Sequence, residues 1–158
     1  MFREIARKKN ALSREDGIEL LKATLRGVLS VQGDDGYPYG IPLNHWYNEE
    51  DGCLYFHSGP VGHKLDAMKR CPKVSFCVYD EGYREEGDWA LKISSVVVFG
   101  KAEPVTDMAF KEEICRKLSA KFPVSKEETD EEIARSLRAT YVFRIVPEHI
   151  TCKRVREA

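Results

Sequence analysis

The sequence lacks the long apolar run that a membrane span would need. The apolar run at residues 96–99 is far shorter than the roughly 20 residues of a spanning helix. Residues 1–10 are rich in charge and contain no apolar core of the kind found in a signal peptide. We therefore expect a cytoplasmic protein that does not enter a membrane.

The sequence also lacks an excess of charge of either sign. Its 25 basic residues are balanced by 26 acidic residues, which leaves a formal net charge of -1. A nucleic-acid-binding protein or a protein that binds anionic lipid usually carries a strong basic excess. We therefore expect no nucleic-acid or membrane partner.

Three kinds of motif are missing as well. The 5 cysteines are odd in number, and they include no C-x-x-C pair, which argues against a disulfide framework and a four-cysteine zinc site. The 4 histidines form neither an H-x-x-x-H nor an H-E-x-x-H pattern, so we expect no metal site. No G-x-G-x-x-G follows a strand-like segment, which argues against a nicotinamide-dinucleotide fold.

What the sequence does contain is a series of strand-like segments joined mostly by short turns. Period-two alternation predicts strands at residues 26–32, 37–47, 53–58, 73–79, 90–105 and 140–146. Helices are predicted from Ser13 to Gly27, at residues 63–70 and 107–121, and around Ile133 and Leu137. This order predicts a mainly β fold, an antiparallel barrel with flanking helices, as a single domain over residues 1–158.

The segment at residues 57–64 holds the most chemical information. A strand ends at Ser58, a turn with two glycines follows, and His63 and Lys64 begin a helix. The free amides and positive dipole of a helix N-terminus, together with a lysine, could hold a phosphate group. An ordinary strand–turn–helix connection with a solvated lysine explains the same spacing, and the spacing alone does not decide between the two.

Two other strands carry features of interest. Pro38 and Pro42 have the same parity, so their missing N–H groups fall on one strand edge that cannot be fully paired. That edge could face a flat ligand or simply face solvent. Ser95 lies at the start of an otherwise apolar strand and could bind a ligand or mark the strand's emergence into water. His57, on a strand face, is by default a structural histidine.

The order of several motifs along the chain is more specific than any one of them. The motifs are residues 26–31, 35–44, 57–64, 71–76 and 99–103. In this order they resemble the pyridoxamine phosphate oxidase-like flavin proteins, and the closest likeness is to the nitroimidazole-resistance (Nim-type) branch. The resemblance covers roughly residues 12–153.

This resemblance implies a six-stranded antiparallel split β-barrel, Greek-key-like, that forms a homodimer with flavin mononucleotide (FMN) at the subunit interface. By position, the residues implied along the isoalloxazine ring are Ile41, Pro42, Leu43 and Asn44. His57 and Ser58 would flank the ring and the ribityl chain, and Gly62, His63 and Lys64 would hold the phosphate. Ser95 matches a flavin-contacting glutamine of the oxidase branch.

The chain departs from the oxidase branch in two places. His63 stands where that branch has arginine, and the C-terminal tryptophan and arginine substrate elements have no counterpart. Pyridoxamine phosphate oxidation is therefore not the expected activity. We expect instead a flavin-dependent oxidoreductase that reduces a small acceptor such as a nitroaromatic or a quinone, with His57 as the best proton donor. The alternatives are a non-catalytic flavin-binding or sensor protein and, third, a haem-binding split barrel.

Overall fold

The computed structural model describes residues 1–157. The strands are β1 (Arg26–Gln32), β2 (Pro38–Asn44), β3 (Trp46–Tyr47), β4 (Leu54–Ser58), β5 (Lys73–Tyr79), β6 (Leu91–Val105) and β7 (Tyr141–Glu157). The helices are α1 (Arg14–Ala23), α2 (His63–Arg70), α3 (Met108–Ser119) and α4 (Lys126–Ser136). Short 3-10 turns lie at Lys8–Asn10, Asp34–Gly36 and Leu137–Ala139. None of the helices in the described range is long and apolar enough to cross a bilayer.

The strands form one antiparallel sheet that closes into a barrel. Its order is β2-β1-β5-β6-β7-β4-β3, so β2 and β3 lie at opposite ends of the sheet. Only His45 separates these two strands along the chain. The sheet must therefore curl until the end of β2 lies beside the start of β3, although these two strands do not pair with each other. The predicted strand at residues 37–47 corresponds to β2 and β3, which His45 interrupts. If these two are counted as one strand, the sheet has the six strands that were predicted. The predicted mainly β split barrel is therefore confirmed.

The barrel interior is filled by alternate residues of the strands. In β1 and β5 every second residue is buried, and Leu29 and Phe76 are fully buried. Residues 96–99 of β6 are apolar on both faces of the strand, which predicts burial of both faces, but the structure buries only one of them within this chain. Val96 and Val98 are fully buried, whereas Val97 and Phe99 face outward and are only partly covered.

The first helix begins as predicted and ends early. The Ser13 hydroxyl accepts a hydrogen bond from the Asp16 amide at 3.0 Å, and the Asp16 carboxylate accepts one from the Ser13 amide, which is a capping box. The helix ends at Ala23, because the backbone of Thr24 is extended. The predicted end at Gly27 is therefore wrong, and Gly27 is instead a buried residue of β1.

The last strand is much longer than predicted. The prediction stopped at residue 146, before Pro147, whereas β7 continues to Glu157 and pairs with β6 along its whole length. The pairing register shifts between Phe99 and Gly100, opposite Pro147. A bulge of this kind tolerates a proline that has no N–H to donate, so the strand passes through it.

His45 fixes the junction between β2 and β3. Its side chain is fully buried, and Nε2 donates a hydrogen bond to the Leu21 carbonyl at 2.7 Å. Its own carbonyl accepts a hydrogen bond from the Lys121 ammonium, also at 2.7 Å. Burial, together with the nearby Lys121 charge, lowers the pKa of His45 to about 4 from 6.5. The junction therefore contains a neutral imidazole at physiological pH.

This buried imidazole makes stability depend on pH. Between pH 6.5 and 4, His45 is protonated in the unfolded chain and stays neutral in the folded protein. The free energy of unfolding should therefore fall by about 3 kcal/mol as the pH is lowered through that window. Urea unfolding at pH 7 and pH 4.5 measures the change. The variant His45→Gln, whose amide does not titrate, should show a flatter profile. Equal slopes for the two proteins would contradict the assignment.

Candidate functional site

The turn between β4 and α2 is open on its outer side. Gly62 has a φ of +137°, a conformation that residues with a side chain rarely adopt. A Cβ atom placed on Gly59 or Gly62 would meet no atom within 4 Å. The turn therefore combines a glycine-dependent backbone with free space in front of it.

The first two amides of α2, which follow this turn, have no intrahelical acceptor. The first donors of the helix are Leu65 and Asp66, whose amides both reach the Gly62 carbonyl, at 3.0 and 3.2 Å. The amides of His63 and Lys64 precede them and are left free for another acceptor. They lie at the positive end of the helix dipole, which favours an anion.

Lys64 adds a positive charge to these amides. In the described part of the chain no carboxylate forms an ion pair with it, and Asp34, the carboxylate beside the neighbouring His63, is engaged by Arg70 at 2.7 Å. A half-buried lysine beside two free amides has the composition of a phosphate cradle. We call residues 62–64 the anion cradle.

The side chain of His63 is directed elsewhere. Its ring stacks on Tyr39 of β2 with centroids 4.2 Å apart, and Nε2 lies 3.5 Å from an Asp34 carboxylate oxygen. His63 therefore braces α2 against the barrel, and its backbone amide is what it presents to the cradle. Ser58, the other polar residue of this turn, donates its hydroxyl hydrogen to the Gly59 carbonyl at 3.0 Å.

The strand predicted to lie along a flat ligand does have one unpaired edge. β2 pairs only with β1, and Pro38 and Pro42 are both exposed. The side chains of Ile41 and Leu43 pack against the barrel core, so only the backbone of these two residues is available at the edge. Asn44 ends the strand, and its Oδ1 accepts a hydrogen bond from Arg26 Nε at 2.8 Å.

Two predicted site residues from different strands meet in one cavity. Asn44 and His57 line a pocket of about 190 Å³, and residues of α3, of α4 and of the segment between these helices form its other walls. Although part of the His57 ring remains exposed, the protein around it lowers the pKa of this histidine below its ordinary value. His57 is therefore a neutral imidazole near pH 7, able both to donate and to accept a hydrogen bond.

Ser95 lies apart from the other predicted site residues within this chain. It is on the outer face of β6, in a separate cleft of about 440 Å³ that the N-terminal segment covers. Its strand neighbours are Tyr79 and Lys153. A single chain thus does not bring Ser95 to the anion cradle or to His57.

Sequence reasoning missed the helical wall of the His57 pocket. A helix was predicted around Ile133 and Leu137 without an assignment of the side it would cover, and both residues line the pocket. Phe122 and Ser136, which line it as well, carry no motif that marks them. The spacing of Ile133 and Leu137 indicates a helix with an apolar side, but it does not predict which part of the barrel that side packs against.

Comparison with known proteins identifies the family. The family model described as pyridoxamine 5'-phosphate oxidase matches residues 13–154. No curated protein matches the chain.

Several solved structures share the fold. A candidate 5-nitroimidazole antibiotic resistance protein from Bacteroides thetaiotaomicron is 20% identical, with a TM-score of 0.73 over 90% of this chain and 84% of that one. An FAD-binding protein from Mesorhizobium loti is 27% identical, with a TM-score of 0.69 over 92% of this chain and 96% of that one. An FAD-binding protein from Mycobacterium smegmatis is 21% identical, with a TM-score of 0.68 over 94% and 99%. Because the family model covers most of the sequence, the chain belongs to the pyridoxamine 5'-phosphate oxidase family.

Proposed function

We propose that this protein binds FMN and uses it to reduce a small organic acceptor. The observation that carries the proposal is the anion cradle, which lies beside β2, because the His63 ring stacks on Tyr39 of that strand, whose other edge is unpaired. A flavin nucleotide needs a site for its charged phosphate and a surface for its flat, largely apolar ring system, and the cradle and the edge of β2 would supply the two. The family and the flavin-binding proteins among its structural relatives support this assignment.

The choice of FMN over FAD rests on the resemblance stated above and on the cradle. Two of the similar structures are FAD-binding proteins. The cradle offers two free amides and one lysine, which suits one terminal phosphate. Releasing the cofactor from purified protein and identifying it by mass distinguishes the two, and FAD alone would contradict the FMN assignment.

The chain's own residues have distinct tasks in this proposal. Lys64 and the first amides of α2 hold the phosphate, and the free edge of β2, from Ile41 to Asn44, lies beside the ring. The flavin supplies the electron transfer. His57 would lie beside the ring, where its neutral imidazole can hydrogen-bond the acceptor, and its protonated form, a minor species near pH 7 because the pKa is lowered, is the form that can deliver a proton. A nitroaromatic acceptor is supported by the likeness to the Bacteroides thetaiotaomicron protein, and a quinone has similar demands.

A second copy of the chain is the proposed partner. The outer faces of β1, β5 and β6 carry a row of uncharged side chains, in which Val28 is paired with Cys77 and Cys77 with Val97. The next row is Ser30, Ser75 and Phe99. All of these side chains are only partly covered within one chain. The N-terminal segment lies beside Val97 and Phe99, so it would form part of the interface. A dimer through this surface would bury these side chains and would bring Ser95 close to the interface.

The dimer can be disrupted at its centre. Val97→Arg places a charge in the middle of the uncharged surface, and we expect it to convert a dimer of 18.1 kDa chains into monomers. Light scattering measures the mass, and flavin absorbance measures the bound cofactor in the same sample. The matched control is Lys101→Arg, an exposed residue of the same strand. A wild-type monomer that retains flavin would refute the interface.

The absorbance spectrum tests the main proposal. Purified protein should be yellow, with flavin close to one per chain, and reduced flavin should be reoxidised by a nitroaromatic under anaerobic conditions. Flavin that binds and does not cycle would identify a non-catalytic carrier or sensor. Colourless protein that cannot be reconstituted with FMN or FAD would overturn the proposal.

A further inference from the structure

The pocket that contains His57 is a shaped cavity and not a continuation of the anion cradle. It lies between the outward side of β4 and the two helices α3 and α4, which form an insertion between β6 and β7. Its apolar wall comes entirely from the helical segment: Leu118, Phe122, Ile133 and Leu137. Only Asn44 and His57 reach it from the barrel.

The polar groups of this pocket are neutral, with one exception at the helical wall. Asn44 accepts from Arg26 through Oδ1, which leaves its Nδ2 hydrogens available as donors. His57 is uncharged because its surroundings lower its pKa. The exception is Glu132, which is paired with Arg135. Among the described residues no lysine or arginine lines the cavity, and Arg26, which contacts Asn44 from outside the lining, already has Asn44 Oδ1 as its partner, so an anionic ligand would find no free counter-charge on the cavity wall.

The volume limits the size of the occupant. About 190 Å³ holds one small ring with its substituents, since an apolar cavity of about 150 Å³ is known to bind benzene. It is too small for a three-ring isoalloxazine or for a nucleotide. The anion cradle therefore suits a charged group such as a phosphate, whereas this pocket suits a neutral molecule.

We infer that the pocket between α3, α4 and His57 binds an uncharged, single-ring aromatic molecule, and that this molecule is the electron acceptor. The second half of this inference rests on the proposed function. Asn44 supplies a donor for a nitro or carbonyl oxygen, and His57 supplies a second donor or an acceptor. Acceptor choice is then set by the helical insertion, and cofactor binding is set by the barrel and α2.

A matched pair of probes tests the charge preference. 4-Nitrobenzamide and 4-nitrobenzoate have nearly the same shape, and only the second is anionic at pH 7. Ligand-detected NMR on the protein as purified should show the amide binding at least tenfold more tightly than the acid. Equal affinity for the two, or tighter binding of the acid, would overturn the inference.

Filling the cavity tests its location. Ser136→Phe puts a ring into the pocket from α4 and should weaken binding of 4-nitrobenzamide at least tenfold. Thr129→Phe fills the same cavity from the preceding part of α4 and should do the same, in case the first variant does not fold. The control is Glu131→Phe, an exposed position on the same helix that does not line the pocket, with an expected change of less than twofold.

The same variants separate this inference from the proposed function. All three should retain the flavin content of the wild-type protein, because none touches the anion cradle. If no flavin binds to any of the proteins while 4-nitrobenzamide binds and is lost in the filled variants, the proposed function fails and the pocket stands. If the filled variants bind 4-nitrobenzamide as well as the wild type, the pocket assignment fails.

Discussion

Gly100→Ala is expected to destabilise the protein by about 3 kcal/mol, the upper end of what overpacking costs in a well-packed site. A Cβ atom on Gly100 would lie 2.3 Å from the Val146 carbonyl oxygen and 2.8 Å from a methyl carbon of Ile145. The first of these is backbone of the neighbouring strand, which cannot rotate away as a side chain could. The clash also falls where the register of β6 and β7 shifts, so relieving it would disturb the bulge.

Thermal unfolding measures this effect against a matched control. For a chain of this length the loss corresponds to a fall in Tm of roughly 6–12 °C. Gly40→Ala is the control, because Gly40 is also a strand glycine, and the nearest atom to its Cβ is a valine methyl at 3.3 Å. We expect Gly40→Ala to change Tm far less. Similar Tm values for the two variants would show that the strands at Gly100 can separate without cost.

Lys64→Ala should weaken FMN binding by roughly ten- to a hundredfold, because a charge-assisted contact to the phosphate contributes about 1.5–3 kcal/mol. The effect should be confined to ligands that carry a phosphate. Riboflavin has the same ring and ribityl chain without the phosphate, so its affinity should be unchanged by the substitution. Fluorescence quenching of the flavin on titration with apoprotein measures both affinities.

Lys69→Ala is the matched control for charge. Lys69 lies on the same helix in its last turn and is exposed, so the net charge changes equally while the anion cradle stays intact. FMN affinity should be nearly unaffected by this variant. Equal losses for Lys64→Ala and Lys69→Ala would mean that the helix attracts the phosphate only through its overall charge, and an unchanged affinity for Lys64→Ala would place the phosphate elsewhere.

Local signals in the sequence predicted much of the fold. β1, β5 and α2 have the predicted bounds, because hydrophobic alternation and clear turn or capping residues define each of them. The early end of α1 and the strand break at His45 were not predictable in this way. Both depend on tertiary contacts, in particular on the buried imidazole and on the Lys121 ammonium, which contacts the carbonyls of Thr24 and His45.

The continuation of β7 beyond Pro147 was missed for a different reason. Proline removes a ladder hydrogen bond, so a local pattern ends the strand there. The compensation is a bulge in β7, where Glu148 is the extra residue opposite Phe99 and Gly100, and pairing with β6 cannot be known from one segment. For the site, the sequence predicted a phosphate-binding segment at residues 57–64 and a role for His57, and both stay predictions. The cavity above His57 could not be predicted, since its walls come from residues separated along the chain.

The helical insertion leaves and rejoins the sheet at neighbouring points, because Val105 and Val142 are paired across β6 and β7. Residues 106–140 are therefore an excursion with fixed ends, and it contacts the barrel at defined points, among them the Lys121 ammonium on the carbonyls of Thr24 and His45. Substitutions on the side of the segment that faces the His57 pocket leave those points unchanged, so the pocket wall can diverge in sequence while the barrel and α2 keep their geometry. If the proposed function holds, new acceptor preferences can evolve by such substitutions within this one segment.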